Sequence, residues 1–268
     1  MDCLMTDNTH QNTHRAFLGS TEIPKDRPKI EVFDSLFRED PRCELLLPVK
    51  MIKQTVSRTV IKPGFRTHFV GYFASRINQA LITFESALEK NACTVFESYP
   101  ELQSYRAQPY GVSLYFLDKF RTVYPDFELV LNDGLALVDI RYETNIHSPQ
   151  FKARYWALKE YAQQRGIGYT LLTDEELMTE RRKNARFLLS LCKGAPQPRL
   201  INTVSAWLHK VMPLDFNHLL TLTTAYPSVR AVIAGLILDG ALSIDWDKAI
   251  HLQTLVPVDN KTKGSWLD

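Results

Sequence analysis

From Ser75 the apolar residues Ile77, Leu81, Phe84, Leu88, Ala92 and Val95 recur at helical spacing. That pattern predicts an amphipathic helix with Ser75 as its N-cap. Glu85 falls inside the span, beside the apolar stripe, where burying a carboxylate calls for a metal or a basic partner. The period then drops to two, and three strands are expected at residues 111–117, 122–131 and 135–142. Asp118-Lys119 joins the first two, and Asn132-Asp133-Gly134 is a strong hairpin signal between the second and third. In the third strand Leu135, Leu137, Asp139 and Arg141 share one face, and Ala136, Val138 and Ile140 the other. Helical spacing returns over residues 148–165, with Phe151, Tyr155, Leu158 and Ala162 on one stripe and Gly166 as the stop. A short strand over 169–172 leads into Thr173-Asp174-Glu175-Glu176, a capping box opening a helix that runs to about Cys192. Helix, three strands, helix, strand, helix is a mixed α/β order.

The remaining segments set the domain plan. Residues 1–50 read as a flexible N-terminal arm, and the loosely alternating stretch after it, broken by Pro63-Gly64, as a basic hairpin or extended segment. The α/β unit is expected to occupy residues 51–193, with a Gly/Pro-rich linker at 194–199. Beyond it, residues 200–268 suggest three short helices (near 201–211, 214–225 and 228–238) and a small ribbon, the outline of a winged helix.

Length and composition leave room for real cores: 268 residues, 45% hydrophobic. A net charge of +2 says little about partners, but its distribution says more. No acidic residue occurs between Leu45 and Phe84, while Lys50, Lys53, Arg58, Lys62, Arg66 and Arg76 are all basic. Residues 151–200 hold ten Lys/Arg against five Asp/Glu. This bias suits a polyanion such as DNA, whose phosphates release counterions to Lys and Arg; a solvated face or a protein-partner surface explains it equally well. The four cysteines (Cys3, Cys43, Cys93 and Cys192) include no C-x-x-C pair, which excludes an evident zinc set or disulfide framework. No run of about eighteen apolar residues and no signal-peptide order is present, so a cytoplasmic location is expected.

The chemistry concentrates at Tyr124-Pro125-Asp126-Phe127, followed by Asp139-Ile140-Arg141. A Pro-Asp pair at a strand bend, a second acid on the next strand and a basic residue two further on is the layout of restriction-endonuclease-like nucleases of the PD-(D/E)xK type. Carboxylates at the ends of neighbouring strands can hold Mg²⁺, which activates water and neutralises charge on the scissile phosphate.

Taken in order, these pieces resemble one family, the TnsA-type endonuclease subunit of heteromeric cut-and-paste transposases. The likeness runs through Gly71-Tyr-Phe-Ala-Ser75, Phe84-Glu85-Ser86-x-Leu88-Glu89 and Tyr99-Pro100 to Gln108-Pro109. It continues through Tyr124–Phe127, the Val138–Arg141 strand and Leu171-Leu-Thr-Asp-Glu-Glu-Leu177. It spans roughly residues 58–190 and is weaker beyond.

The resemblance implies an α/β restriction-endonuclease-like core with a winged-helix-like C-terminal domain. It implies Mg²⁺-dependent hydrolysis, with Mn²⁺ as substitute, at the 5′ ends of a transposon. Double-stranded DNA ends, an integrase-type (TnsB-like) transposase and an AAA+ (TnsC-like) ATPase regulator are the implied partners, with association to the nucleoid. Glu85, Asp126 and Asp139 would be the metal-binding acids, Arg141 a catalytic cation and Gln108 a substrate-positioning residue. Two positions depart from the family pattern: its entry lysine is Arg76 here, and the lysine after the second acid is Arg141. Arginine can clamp a phosphate bidentately but is bulkier and permanently charged, so the second exchange is not conservative. Two alternatives stand beside the nuclease: a degenerate scaffold of the same fold bridging DNA, transposase and regulator, and a winged-helix DNA-binding regulator. Three converging acids argue against the latter, since without metal they would repel phosphate.

Overall fold

The sheet that carries Asp139, and that the chain enters just after Asp126, is built from four strands in the order β4 (Leu102–Ala107), β7 (Phe127–Leu131), β8 (Gly134–Ile140) and β9 (Gly168–Leu172). A computed structural model describes residues 69–192 and 198–258, together with the backbone of β1 (Arg38–Glu39). The rest of the expected N-terminal arm lies outside the described residues, as do Lys50, Lys53, Arg58, Lys62 and Arg66. Most of the expected linker does too. The structure is mixed α/β and divides into two units, with the division running through the first helix.

The first unit takes the described residues through Ala92 together with Leu102–Leu177. It opens with an antiparallel hairpin, β2 (Gly71–Ser75) and β3 (Ala80–Phe84), followed by α1 (Ala87–Phe96). The long helix expected from Ser75 is therefore not formed. Ser75 does cap, but it caps a turn: its Oγ accepts the Asn78 N–H at 3.0 Å. The Asn78 amide then donates to the Tyr105 carbonyl and accepts the Tyr105 N–H, and Gln79 turns the chain back with φ +51°. Ile82 and Phe84 are buried, Thr83 between them is half-buried, and Leu81 before them is exposed. The same apolar residues thus satisfy a two-residue period over this stretch, and the side-chain hydrogen bonds of Ser75 and Asn78 favour the turn.

β4 (Leu102–Ala107), β7 (Phe127–Leu131) and β8 (Gly134–Ile140) pair antiparallel, and β9 (Gly168–Leu172) joins β8 in parallel. β5 (Val112–Phe116) and β6 (Lys119–Val123) form a separate hairpin, with β1 on the other side of β5. The single strand expected at 122–131 is thus two strands in two sheets, bent at Tyr124-Pro125-Asp126. Proline supplies no N–H to a ladder, which makes it a natural point for the chain to leave one sheet for another. Gly111 permits the tight approach just before β5: a Cβ there would lie 2.7 Å from the Tyr124 ring.

The helix expected at 148–165 is α2 (Pro149–Gln164), capped by the Ser148 side chain on the Phe151 N–H and followed by Gly166 at φ +65°. As the link between parallel strands β8 and β9, it packs Ala153, Ala157, Leu158 and Tyr161 against Leu137 and the β5–β6 hairpin. The capping box after β9 is present, with Thr173 N–H and Oγ both donating to the Glu176 carboxylate at 2.6 Å. It opens only a single turn, α3 (Asp174–Leu177).

The second unit comprises Cys93–Glu101 and the described residues from Met178 onward. The helix expected to continue from residue 174 restarts here as α4 (Glu180–Leu191). Then come α5 (Pro198–Val211), α6 (Phe216–Leu222) and α7 (Pro227–Leu238), with short strands β10 (Leu214–Asp215), β11 (Leu242–Ser243) and β12 (Thr254–Pro257) in the order β10-β12-β11. Leu188 of α4 is buried in one core with Val204, Leu208, Phe216, Leu219 and Ile237. The buried Asn184 amide donates to the carbonyls of Trp246 and Lys248 and accepts the Ile250 N–H. These contacts place α4 with the C-terminal helices rather than with the sheet. No described helix is long and apolar enough to cross a membrane.

Candidate active site

Asp126 lies at the bend between two sheets, and Asp139 one residue before the end of β8. The pairing of Phe127 with Val138 aligns Asp126 opposite Asp139 on the face that receives α2. The Asp126 carboxylate accepts the Ile140 N–H at 2.7 Å and Arg141 Nη1 at 2.6 Å, both on Oδ2. Its own carbonyl accepts the Gln108 N–H at 2.8 Å. Gln108, buried and at φ +44°, therefore stands beside the site and fixes the Asp126 backbone.

Asp139 is fully buried. Arg154, from α2, forms an ion pair through Nη1 with Oδ2 and donates from Nη2 to Oδ1 at 3.0 Å. Nη2 also donates to the Tyr124 carbonyl at 2.9 Å, and the Tyr169 hydroxyl donates to Asp139 Oδ2 at 2.8 Å. Sequence reasoning missed both Arg154 and Tyr169. Helical and strand spacing do place them on the faces that meet Asp139, but nothing in their local sequence marks them as chemical.

The glutamate carried by α1 is Glu89, whereas Glu85, expected on a helix, precedes it. Glu85 does not lie in a helix: it falls between β3 and α1, where its N–H donates to Glu89 Oε2 at 2.7 Å. Glu89 is in the first turn of α1 and completes a capping box with Ser86, whose Oγ accepts the Glu89 N–H at 3.0 Å. The Ser86-x-x-Glu89 spacing was the available signal.

Electrostatics follow from this geometry. Burial pushes the Glu89 carboxyl up to about 7; the Glu85 N–H opposes that, and the Asp126 charge adds to it. Burial and the Asp139 charge push Asp126 up to about 6, against Arg141, the Ile140 N–H and Arg154. Burial alone would raise Asp139 as well, but the Arg154 ion pair and hydrogen bonds, with help from Arg141 and Tyr169, hold it below the usual carboxylate range. Three acids and two arginines thus form one connected set in which Asp139 is ionised and Glu89 is poised near neutrality. Arg76, expected to touch DNA, lies in the β2–β3 turn, where its carbonyl accepts from the Gln79 side chain.

Among the described residues, no group of three or more His, Cys, Asp or Glu side chains is arranged to hold a metal ion. The donor chemistry nevertheless suits a hard divalent cation: carboxylate oxygens, two of whose pKa values are raised first by burial and then by a neighbouring carboxylate. A cation at Asp139 must share or replace the Arg154 contacts. No protein-family model matches this chain, and no curated protein matches it in sequence.

Proposed function

We propose that this chain is a metal-dependent DNA endonuclease of the TnsA type, cutting the 5′ ends of a transposon within a heteromeric transposase. In this reading the first unit is a restriction-endonuclease-like core, and the helices and small sheet of the second unit a winged-helix-like domain. The observation that carries the proposal is the electrostatically joined set Glu89, Asp126 and Asp139 with Arg141 bound at the strand end. A bound Mg²⁺ would supply water activation and charge neutralisation at the phosphate. Asp126 and Asp139 would hold it, with Glu89 as the third carboxylate. Arg141 would exchange its Asp126 contact for a non-bridging phosphate oxygen and stabilise the charge that develops there.

A second reading has a specific observation behind it. Both strand acids are already ion-paired to arginine, which suits a degenerate site retained as a scaffold between DNA, the integrase-type transposase and the AAA+ regulator. Strand-specific cleavage of transposon-end DNA, with partner subunits and Mg²⁺ or Mn²⁺ present, separates the two. The nuclease reading expects 5′-strand nicks by the native chain and none by Asp126→Ala. No 5′ cut by the native chain, with cleavage gained on Arg141→Lys, establishes the scaffold.

A further inference from the structure

We propose that Arg154 is a built-in counter-cation that keeps divalent metal off Asp139 until a DNA phosphate draws its guanidinium away, so that metal and DNA bind with positive coupling. The inference rests on the nuclease reading above. Arg154 engages both oxygens of Asp139 and, through the same guanidinium, the Tyr124 carbonyl next to the Pro-Asp bend. The Tyr169 hydroxyl takes a further position on Oδ2. A metal ion therefore cannot reach Asp139 without disturbing the Arg154 fork. Arg154 is itself largely buried, with a side-chain exposure of 16%, so once displaced it needs another anion nearby.

Charge balance indicates what that anion is. Without metal, two guanidiniums offset the two carboxylates they pair with. A divalent cation entering alone leaves these four groups with two excess positive charges in a partly buried setting. A phosphodiester monoanion arriving with the metal halves that excess and offers the displaced guanidinium a new partner. A guanidinium fork also matches the paired non-bridging oxygens of a phosphate as well as it matches a carboxylate. Arg154 and Arg141 would then both pass from protein carboxylates to the DNA backbone. Metal would be retained only where DNA is present, which would protect other phosphodiesters from an idle enzyme.

The test is Mn²⁺ binding by the full chain, read as loss of the free-ion signal in electron paramagnetic resonance. Titrations are run alone, with a short duplex, and with the same duplex bearing a neutral methylphosphonate backbone. The native chain should bind Mn²⁺ at least tenfold more tightly with the charged duplex than without, and show no gain with the neutral one. Arg154→Gln should bind Mn²⁺ about tenfold more tightly than the native chain in the absence of DNA and lose the coupling. Arg154→Lys, which keeps charge but not the fork, should fall between them and guards against a folding defect in the glutamine variant. Native affinity indifferent to duplex, or DNA-free Mn²⁺ affinity unchanged in both variants, overturns the counter-cation proposal and leaves the nuclease reading intact. Absence of Mn²⁺ binding in every protein, with or without duplex, sinks the nuclease reading and the proposal with it.

Discussion

The Asp126 carboxylate accepts the backbone N–H of Ile140 at 2.7 Å, so the acid at the strand bend is tied to the strand that carries its partner acid. The bond couples side-chain chemistry to sheet register, because moving the Asp126 carboxylate away from β8 breaks a hydrogen bond to its main chain. After the Arg141 charge, it helps to hold the partly buried Asp126 at about 6 beside another carboxylate.

Arg141 shares the Asp126 oxygen with that N–H, and its replacement has two separable effects. Under the proposed function, Arg141→Ala should lower 5′-strand nicking by roughly 10²–10³-fold, the scale of losing one transition-state donor. Loss of the neighbouring cation should also raise the Asp126 pKa, moving the rising limb of the pH–rate profile to higher pH. Arg141→Lys should keep or increase activity and leave that limb near its native position. A pH profile unmoved by Arg141→Ala would show that the ion pair does not govern Asp126 ionisation.

Glu89 provides a pH test that needs no DNA. Its folded-state pKa of about 7 lies above the unfolded carboxylate value, so the native state holds a proton that the unfolded chain has released. Its contribution is fully present below about pH 4.5 and is lost as pH rises through about 7. The native chain should therefore lose on the order of 1–3 kcal/mol across that window through this group. Glu89→Gln should flatten that part of the curve. Urea unfolding at intervals between pH 5 and 8 measures the difference; parallel curves for the two proteins would refute the assignment.

Arg106 and Glu128 make a second buried ion pair, cross-strand neighbours on β4 and β7 at 2.8 Å. Arg106 Nη2 and Glu128 Oε2 find no hydrogen-bond partner among the described residues, and burial raises the Glu128 pKa even against the arginine. Removing one member leaves a lone buried charge, so Arg106→Met should cost about 3–5 kcal/mol. The double substitution Arg106→Met with Glu128→Leu should recover most of that loss. Thermal melts of the single and double variants decide it, and additive losses would mean the pair is not coupled.

Where one period and one cap coincided, the sequence was legible. Ser148, the Phe151–Ala162 stripe and Gly166 delimited α2, and alternation in β8 put Asp139 on the face that meets it. The segment from Ser75 was ambiguous because its apolar spacing fits a strand as well as a helix, and serine caps turns and helices by the same hydrogen bond. That ambiguity carried the helical acid to Glu85, four residues from Glu89. Helical spacing put Arg154 on the inner face of α2, but its pairing with Asp139 arises from the β8–α2–β9 connection, a tertiary fact that spacing along the chain does not encode.

Gly111 gives the site a reach into residues with no chemistry of their own. Its missing side chain is what lets the Tyr124 ring settle, and the Tyr124 carbonyl is one of the anchors of Arg154. Gly111→Ala should push on that ring and dislodge the arginine, altering Mn²⁺ affinity without touching an acid or a base. Unaltered Mn²⁺ affinity in that variant would break this chain of contacts. Heritable loss of function can therefore begin at a position that neither binds nor reacts, and variants sorted only by charge and nucleophilicity would pass it over.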